Sequence, residues 1–235
     1  MALIHDAELS PSKLDMLRAW VPRQSWVPEQ SWIPEQSSTI DAGELTILGA
    51  YRFDDSDDEV GIETFLVSSS AGVLQIPVTY RGAPLASAEA SLICEMEHSV
   101  LGRRWAYDGL ADAVYIRELA RTILSGGRQA DLDYDYPVSP EKLTVTTRVQ
   151  GSGHGDLPAV GSLTPGGSTV AAPTDAIARI RSEGLVIDVV RVVDLTRSTA
   201  STPNLIGTWP GQTRPVVLAL ANSADDQGAP STAQA

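Results

Sequence analysis

The chain has 235 residues, 43% hydrophobic and 20% charged, the balance of a globular protein and not of a disordered one. A formal net charge of −13 argues against nucleic acid or an anionic membrane surface as a main partner, since both demand a basic face. The single Cys94 makes no intramolecular disulfide, and no run approaches the roughly 18 apolar residues of a membrane span.

Residues 2–5 read as a short strand, and the opening Met-Ala-Leu-Ile-His-Asp lacks the features of a signal peptide, so a cytoplasmic protein is expected. Ser10 with Pro11 at the first position predicts a helix start. Leu14, Leu17, Trp20 and Val21 then share one face until Pro22 ends the element. Three hexapeptides follow: Trp20-Val-Pro-Arg-Gln-Ser, Trp26-Val-Pro-Glu-Gln-Ser and Trp32-Ile-Pro-Glu-Gln-Ser. They hold three of the five tryptophans and place prolines at Pro22, Pro28 and Pro34 and glutamines at Gln24, Gln30 and Gln36. A proline per unit rules out a continuous helix and pushes the preceding residue toward extended geometry. The expectation is an extended ribbon over 19–38, with Trp20, Trp26 and Trp32 on one side roughly 19 Å apart at about 3.1 Å per residue. These repeats are the candidate partner-binding residues, a row of aromatic anchors for a protein partner that is itself long, repetitive or oligomeric. The alternative is that each indole is buried locally along its own domain.

Short strands are predicted at 45–53, 60–68 and 73–81, joined by turns at Asp54–Asp58 and Ser70–Gly72. Residues 91–100 are a strand or a helix, and Arg103–Tyr107 is a strand. Asp112 opens a helix that stops at Gly126-Gly127. Residues 126–141 read as a loop and 143–149 as a strand. Residues 151–173 form a flexible Gly/Ser/Pro insertion, and 174–182 a short helix or turn. Strands at 185–193, 205–208 and 215–220 follow, and 222–235 is a disordered tail. Short connections between strands imply antiparallel pairing and an α+β class.

Candidate chemistry is sparse. Counting from either Asp54 or Asp55, the acidic run fails the glycine and terminal-acid positions of a calcium loop. Cys94 and His98 supply only two zinc-type ligands on one strand face. No Gly-x-Ser-x-Gly elbow, Walker lysine, dinucleotide glycine fingerprint or kinase catalytic loop occurs. No catalytic residue, metal or cofactor is therefore assigned. The densest polar-aromatic cluster is Arg103, Arg104, Trp105 and Tyr107, a candidate site for a sugar or an anion. On a strand Arg103, Trp105 and Tyr107 share a face, and Arg104 takes the other. The competing reading is a structural arginine paired with Asp108 or Glu97.

Several stretches carry a resemblance. They are Met1-Ala-Leu-Ile-His5, Leu9-Ser-Pro-Ser-Lys-Leu14, Gly49-Ala-Tyr-Arg-Phe-Asp-Asp55, Glu59-Val-Gly-Ile-Glu63 and Pro77-Val-Thr-Tyr-Arg-Gly-Ala-Pro-Leu85. Glu97-His-Ser-Val-Leu-Gly-Arg-Arg-Trp-Ala-Tyr-Asp-Gly109 and Gly207-Thr-Trp-Pro-Gly-Gln212 complete the set. Together they resemble the N-terminal cap domain of actinobacterial maltokinases. The resemblance implies a curved, mainly antiparallel, cystatin-like sheet with two or three helices over residues 1–221. It also implies a setting in trehalose, maltose or glycogen metabolism. The kinase lobes that follow the cap in that family have no counterpart in these residues, so none of its ATP, magnesium or base residues can be transferred. The sequence reading is thus a non-catalytic cap-like adaptor. The alternatives are an α-glucan or disaccharide-binding module, or an accessory subunit that completes a maltokinase-type kinase in trans.

Overall fold

The computed structural model describes residues 2–27, 45–138, 146–155, 177–182, 184–198 and 200–223. The chain opens with β1 (Ala2–Ile4), β2 (Leu9–Ser10) and α1 (Lys13–Trp20). Next come β3 (Thr46–Phe53), β4 (Gly61–Ser69), β5 (Gly72–Arg81), β6 (Leu92–His98) and β7 (Gly102–Asp108). After α2 (Ala113–Ser125) follow β8 (Leu132–Tyr134), β9 (Arg148–Gly151), β10 (Ile177–Ser182), β11 (Leu185–Val190), β12 (Val192–Val193), β13 (Asn204–Trp209) and β14 (Gln212–Ser223). The fold is α+β and mostly antiparallel, as the short connections imply.

The central sheet runs β2-β6-β7-β5-β4-β3, with β12 added along part of β5. The second sheet runs β10-β11-β14-β13-β9, and β1 pairs with β8 in parallel. Both faces of the central sheet are covered, which is why Ile62–Val67 reads as an unbroken buried run. From the alternation of the strands, Tyr51, Phe53, Ile62 and Leu66 pack against α2 and the second sheet. Phe65, Val67, Leu74, Ile76 and Val78 pack on the opposite face with Met16, Leu17, Trp20 and Val21 of α1 and the turn after it.

One edge of β5 is shared. Val73 and Leu74 pair with β12, whereas Val78–Arg81 pair with β7. The Gln75 N–H donates to the Arg191 carbonyl, so by strand alternation Pro77 turns its missing donor toward the gap between the two partners. A proline is tolerated inside this strand for that reason.

Within its described part, through Val27, the hexapeptide region departs from the extended ribbon. α1 runs through Trp20 and passes directly into a 3₁₀ turn, Val21–Arg23, followed by a turn at Ser25-Trp26. Pro22 sits in the first turn of that 3₁₀ element, where its missing N–H costs nothing, so it tightens the helix instead of starting an extended segment. Trp20 and Trp26 are therefore not about 19 Å apart; their ring centroids lie 6.2 Å from each other. Trp32, Pro28, Pro34, Gln30 and Gln36 lie outside the described residues.

Four smaller expectations also shift. The helix cap is Ser12, accepting from the Asp15 N–H, and not Ser10. Residues 177–182 form a strand, because Ile177, Ala178 and Ile180 pair across a hairpin with β11 and two of them enter the core. The strand expected at 143–149 is found as β9 at Arg148–Gly151, its first part lying outside the described residues. The tail begins later than 222, since β14 runs to Ser223.

Residues 151–155 are likewise not part of a loose insertion. The Gly153 N–H donates to the Ile123 carbonyl and the Gly155 N–H to the Leu124 carbonyl, which seats this segment on the end of α2. A Cβ at Gly151 would lie 1.9 Å from the Thr122 carbonyl oxygen and one at Gly153 2.2 Å from that of Leu124. These glycines are close-approach positions, not linker residues. The rest of the expected insertion, 156–173, lies outside the described residues.

Candidate functional site

The helix α1 covers only part of its face of the central sheet. Beside its first turn the sheet is left open, and a cleft of about 590 Å³ results. Strand alternation sends Arg52, Tyr80, Arg104, Met96 and His98 into it from five different positions on the sheet. Lys13 enters from α1 and His5 from the segment after β1. The far wall is the β3–β4 turn, with Asp54, Asp55, Asp58 and Glu59.

Beneath the cationic wall lies Glu63, only 5% exposed. Lys13 Nζ approaches it at 2.7 Å and Arg52 Nη2 at 3.2 Å, and the Tyr80 hydroxyl donates to it at 3.2 Å. Burial alone would push this carboxyl up. The Arg52 and Lys13 charges, with hydrogen bonds from Lys13 and Tyr80, overcome that and hold it at about 2. Burial and the neighbouring Glu63 charge push the Tyr80 hydroxyl well above its usual value, so it acts as a donor.

At the mouth, His98 Nδ1 accepts the N–H groups of Val100 and Leu101 at 3.3 and 3.1 Å. This fixes the tautomer with the proton on Nε2. Burial, then His5, Arg104 and Lys13, lower its pKa. His5 bonds Asp135 at 2.5 Å, and its ring meets that of His98 edge-on with centroids 5.8 Å apart.

The acidic turn has a structural centre. Asp55 is 7% exposed and accepts the N–H groups of Asp57, Glu59 and Val60, while Arg117 of α2 pairs with it at 2.8 Å. The sequence marks this run as a turn, and one of its acids is a buried anchor for it.

The structure divides the four residues of the polar-aromatic cluster between two faces, as alternation requires. Arg103 is exposed and pairs with Glu97 and Glu95. Trp105 is half-buried on the same side, and the buried Tyr107 accepts the Leu85 N–H through its hydroxyl. Arg104 alone turns to the cleft, donating to the Arg103 carbonyl at 2.9 Å. Among the described residues no carboxylate partner of Arg104 is found. The cleft residues Lys13, Arg52, Tyr80 and His98 were not singled out from sequence as a site. For Arg52, Tyr80 and His98 the only signal was the strand alternation that puts them on one face; Lys13 reaches the cleft from α1.

The tryptophans sit elsewhere. Trp20 is 9% exposed within the α1-side core, and Trp26 packs against that core. The Arg191 guanidinium lies 4.8 Å from the Trp26 ring centroid and also pairs with Asp108. Gln24 donates back to the Trp20 carbonyl at 3.2 Å. These contacts secure the chain after α1 to the edge of the central sheet.

The strands β3 to β7 that floor the cleft are also the part of the chain with a recognisable family. Residues 26–112 match the maltokinase N-terminal cap domain. The match ends at Asp112, where the central sheet hands over to α2, so it covers β3 to β7 and not the later strands. No curated protein matches the chain. The matched cap is a non-catalytic part of maltokinase. Among the described residues no helix is long and apolar enough to cross a membrane, and no cluster of three or more His, Cys, Asp or Glu side chains is placed to hold a metal.

Proposed function

We propose that this chain is a non-catalytic cap-type adaptor that docks a protein partner through one end of the molecule. The observation that carries the reading is the grouping of exposed aliphatic side chains. Leu3 stands on β1, and Val100 and Leu101 form the tip of the β6–β7 hairpin; they are between 42% and 55% exposed. Leu3 and Leu101 line the mouth of the same cleft, which brings the two groups together. Large aliphatics gathered at one end are costly in water and favour a covered state. Their border is acidic, with Asp6, Glu8 and Asp133, the register partner of Leu3, exposed around them. The fitting partner is a folded protein with an apolar patch in a basic border. The cap match supports an enzyme of α-glucan or trehalose metabolism as that partner, and in its narrowest form a polypeptide carrying kinase lobes. Catalysis then belongs to the partner. Trp20 and Trp26 serve the fold, and Trp32 alone of the repeat tryptophans keeps the role of an anchor in this proposal.

The test introduces a photo-crosslinking residue at position 3 or 101 of the full chain and identifies the captured protein. Leu3→Asp with Leu101→Asp is then compared with Trp32→Ala for retention of that protein. The paired aspartates are expected to cut retention at least tenfold with the circular dichroism spectrum unchanged. Retention lost only with Trp32→Ala, or in neither variant, overturns docking at this end.

A further inference from the structure

The cleft carries an inference separate from docking. Of the chain's 17 lysines and arginines, three meet here although the protein as a whole carries a net −13. Glu63 is shared by Lys13 and Arg52 and neutralises one of those two charges. Arg104 adds another positive charge, and its planar fork is engaged only with a backbone carbonyl among the described residues. His98 faces the same space with Nδ1 already occupied, leaving Nε2–H as a donor. Tyr80 and Lys13 are held in position by Glu63, so the donors are organised before any ligand arrives. Across the cleft the wall changes sign: Asp58 and Glu59 are exposed acceptors on the β3–β4 turn. Apolar side chains, Ile4, Leu9 and Met96, line the space between.

We propose that this cleft binds a small hydroxylated anion, a polyol phosphate or hydroxy acid, with its charged head against Lys13, Arg52 and Arg104 and its hydroxyls toward Asp58 and Glu59. A fully anionic ligand does not fit, because its far end would meet carboxylates. A neutral polyol does not fit either, because it leaves the surplus guanidinium unanswered. The volume of about 590 Å³ suits a molecule of metabolite size. Arg104 gives a forked hydrogen-bonding group for the oxyanion, and Lys13 and Arg52 supply charge from the floor.

The experiment is calorimetric titration of the full chain with glycerol 3-phosphate, glycerate and glycerol, repeated with Arg104→Ala and Arg104→Lys. Among the described residues Arg104 donates to a backbone carbonyl and to none of the Lys13–Glu63–Arg52 group, so its removal leaves that group in place. Imidazole signals of His98 followed by NMR in the same titrations report whether the ligand reaches this cleft. Saturable binding of at least one of the two anions is expected, at least tenfold tighter than glycerol, with a shift of the His98 resonances. The phosphate and carboxylate arms separate the two head groups. Arg104→Ala is expected to weaken binding about tenfold and Arg104→Lys to restore part of it. No saturable binding of either anion, equal binding of glycerol, or undiminished binding by Arg104→Ala overturns the proposal.

Discussion

On the α2 side of the central sheet, Gln75 is 1% exposed, and its amide joins two sheets. Its Nε2 donates to the carbonyls of Val190 and Leu218 at 3.0 Å each, and its Oε1 accepts the Tyr51 hydroxyl at 3.0 Å. On the α1 side Glu63 is almost as deeply placed, but its partners are charged and stand at the edge of an open cleft. The first arrangement is neutral and closed, and it serves to register β5 against β11 and β14. The second stores charge beside solvent, where a ligand can reach it. The same strand alternation produces both, with Gln75 and Glu63 belonging to opposite faces of neighbouring strands. Burial of a polar group is therefore not informative by itself in this molecule; what matters is whether its partners are spent on the fold.

The strongest way to break this contrast is on the closed side. Gln75→Leu keeps the volume and leaves two carbonyls and one hydroxyl buried without partners. At about 1–3 kcal/mol for each orphaned group, the expected loss is about 4 kcal/mol of unfolding free energy. Urea denaturation measures it, and a loss under about 1 kcal/mol would show that the amide does not join the sheets. Arg104→Ala, on the open side, is expected to leave the urea midpoint within the range of ordinary surface changes.

The open side has its own signature in pH. The Glu63 carboxyl lies at about 2 in the folded protein, against an ordinary 4.5. The folded value is the lower one, so the contribution is fully present above about pH 4.5 and disappears as pH falls toward 2. Its size is about 3 kcal/mol. Glu63→Gln is expected to lose that amount at neutral pH and to flatten the acid limb between pH 4.5 and 2. An acid limb with the same slope in the variant would remove Glu63 from the account.

Much of this was legible in the residues before the fold. The β-rich runs at 45–53, 60–68 and 73–81 with the turns between them, the Asp112 cap and the Gly126 stop define β3, β4, β5 and α2, because local pattern and tertiary placement agree there. The first hexapeptide misled for a physical reason. Proline forbids a helix interior but not a first turn, so Pro22 extends α1 as a 3₁₀ turn and brings Trp26 back onto Trp20. Residues 177–182 were obscured because the partner that makes them a strand, β11, lies across a hairpin. The cleft was hidden more deeply. Its cations come from α1, β3 and β7, and sequence spacing says nothing about which strands become neighbours across the β12 and β7 edge of β5. The cluster at Arg103–Tyr107 drew attention by density, yet only Arg104 belongs to the cleft.

The smallest effect separates the two kinds of polar group most directly. His98 sits at the cleft mouth with its pKa lowered from 6.5 by partial burial and by His5, Arg104 and Lys13. Because the folded value lies below the unfolded one, the neutral ring favours the folded state above pH 6.5, and that preference fades as pH falls below it. Removing the Arg104 charge takes away one of the groups that oppose protonation. Arg104→Ala is therefore expected to move the His98 titration upward, toward 6.5, when followed by NMR of its ring protons. Gln75→Leu, acting on the closed side, should leave that titration where it is. A His98 curve that moves with Gln75 and not with Arg104 would mean that the two faces are coupled through the sheet, and the cleft could no longer be treated as an electrostatic unit of its own.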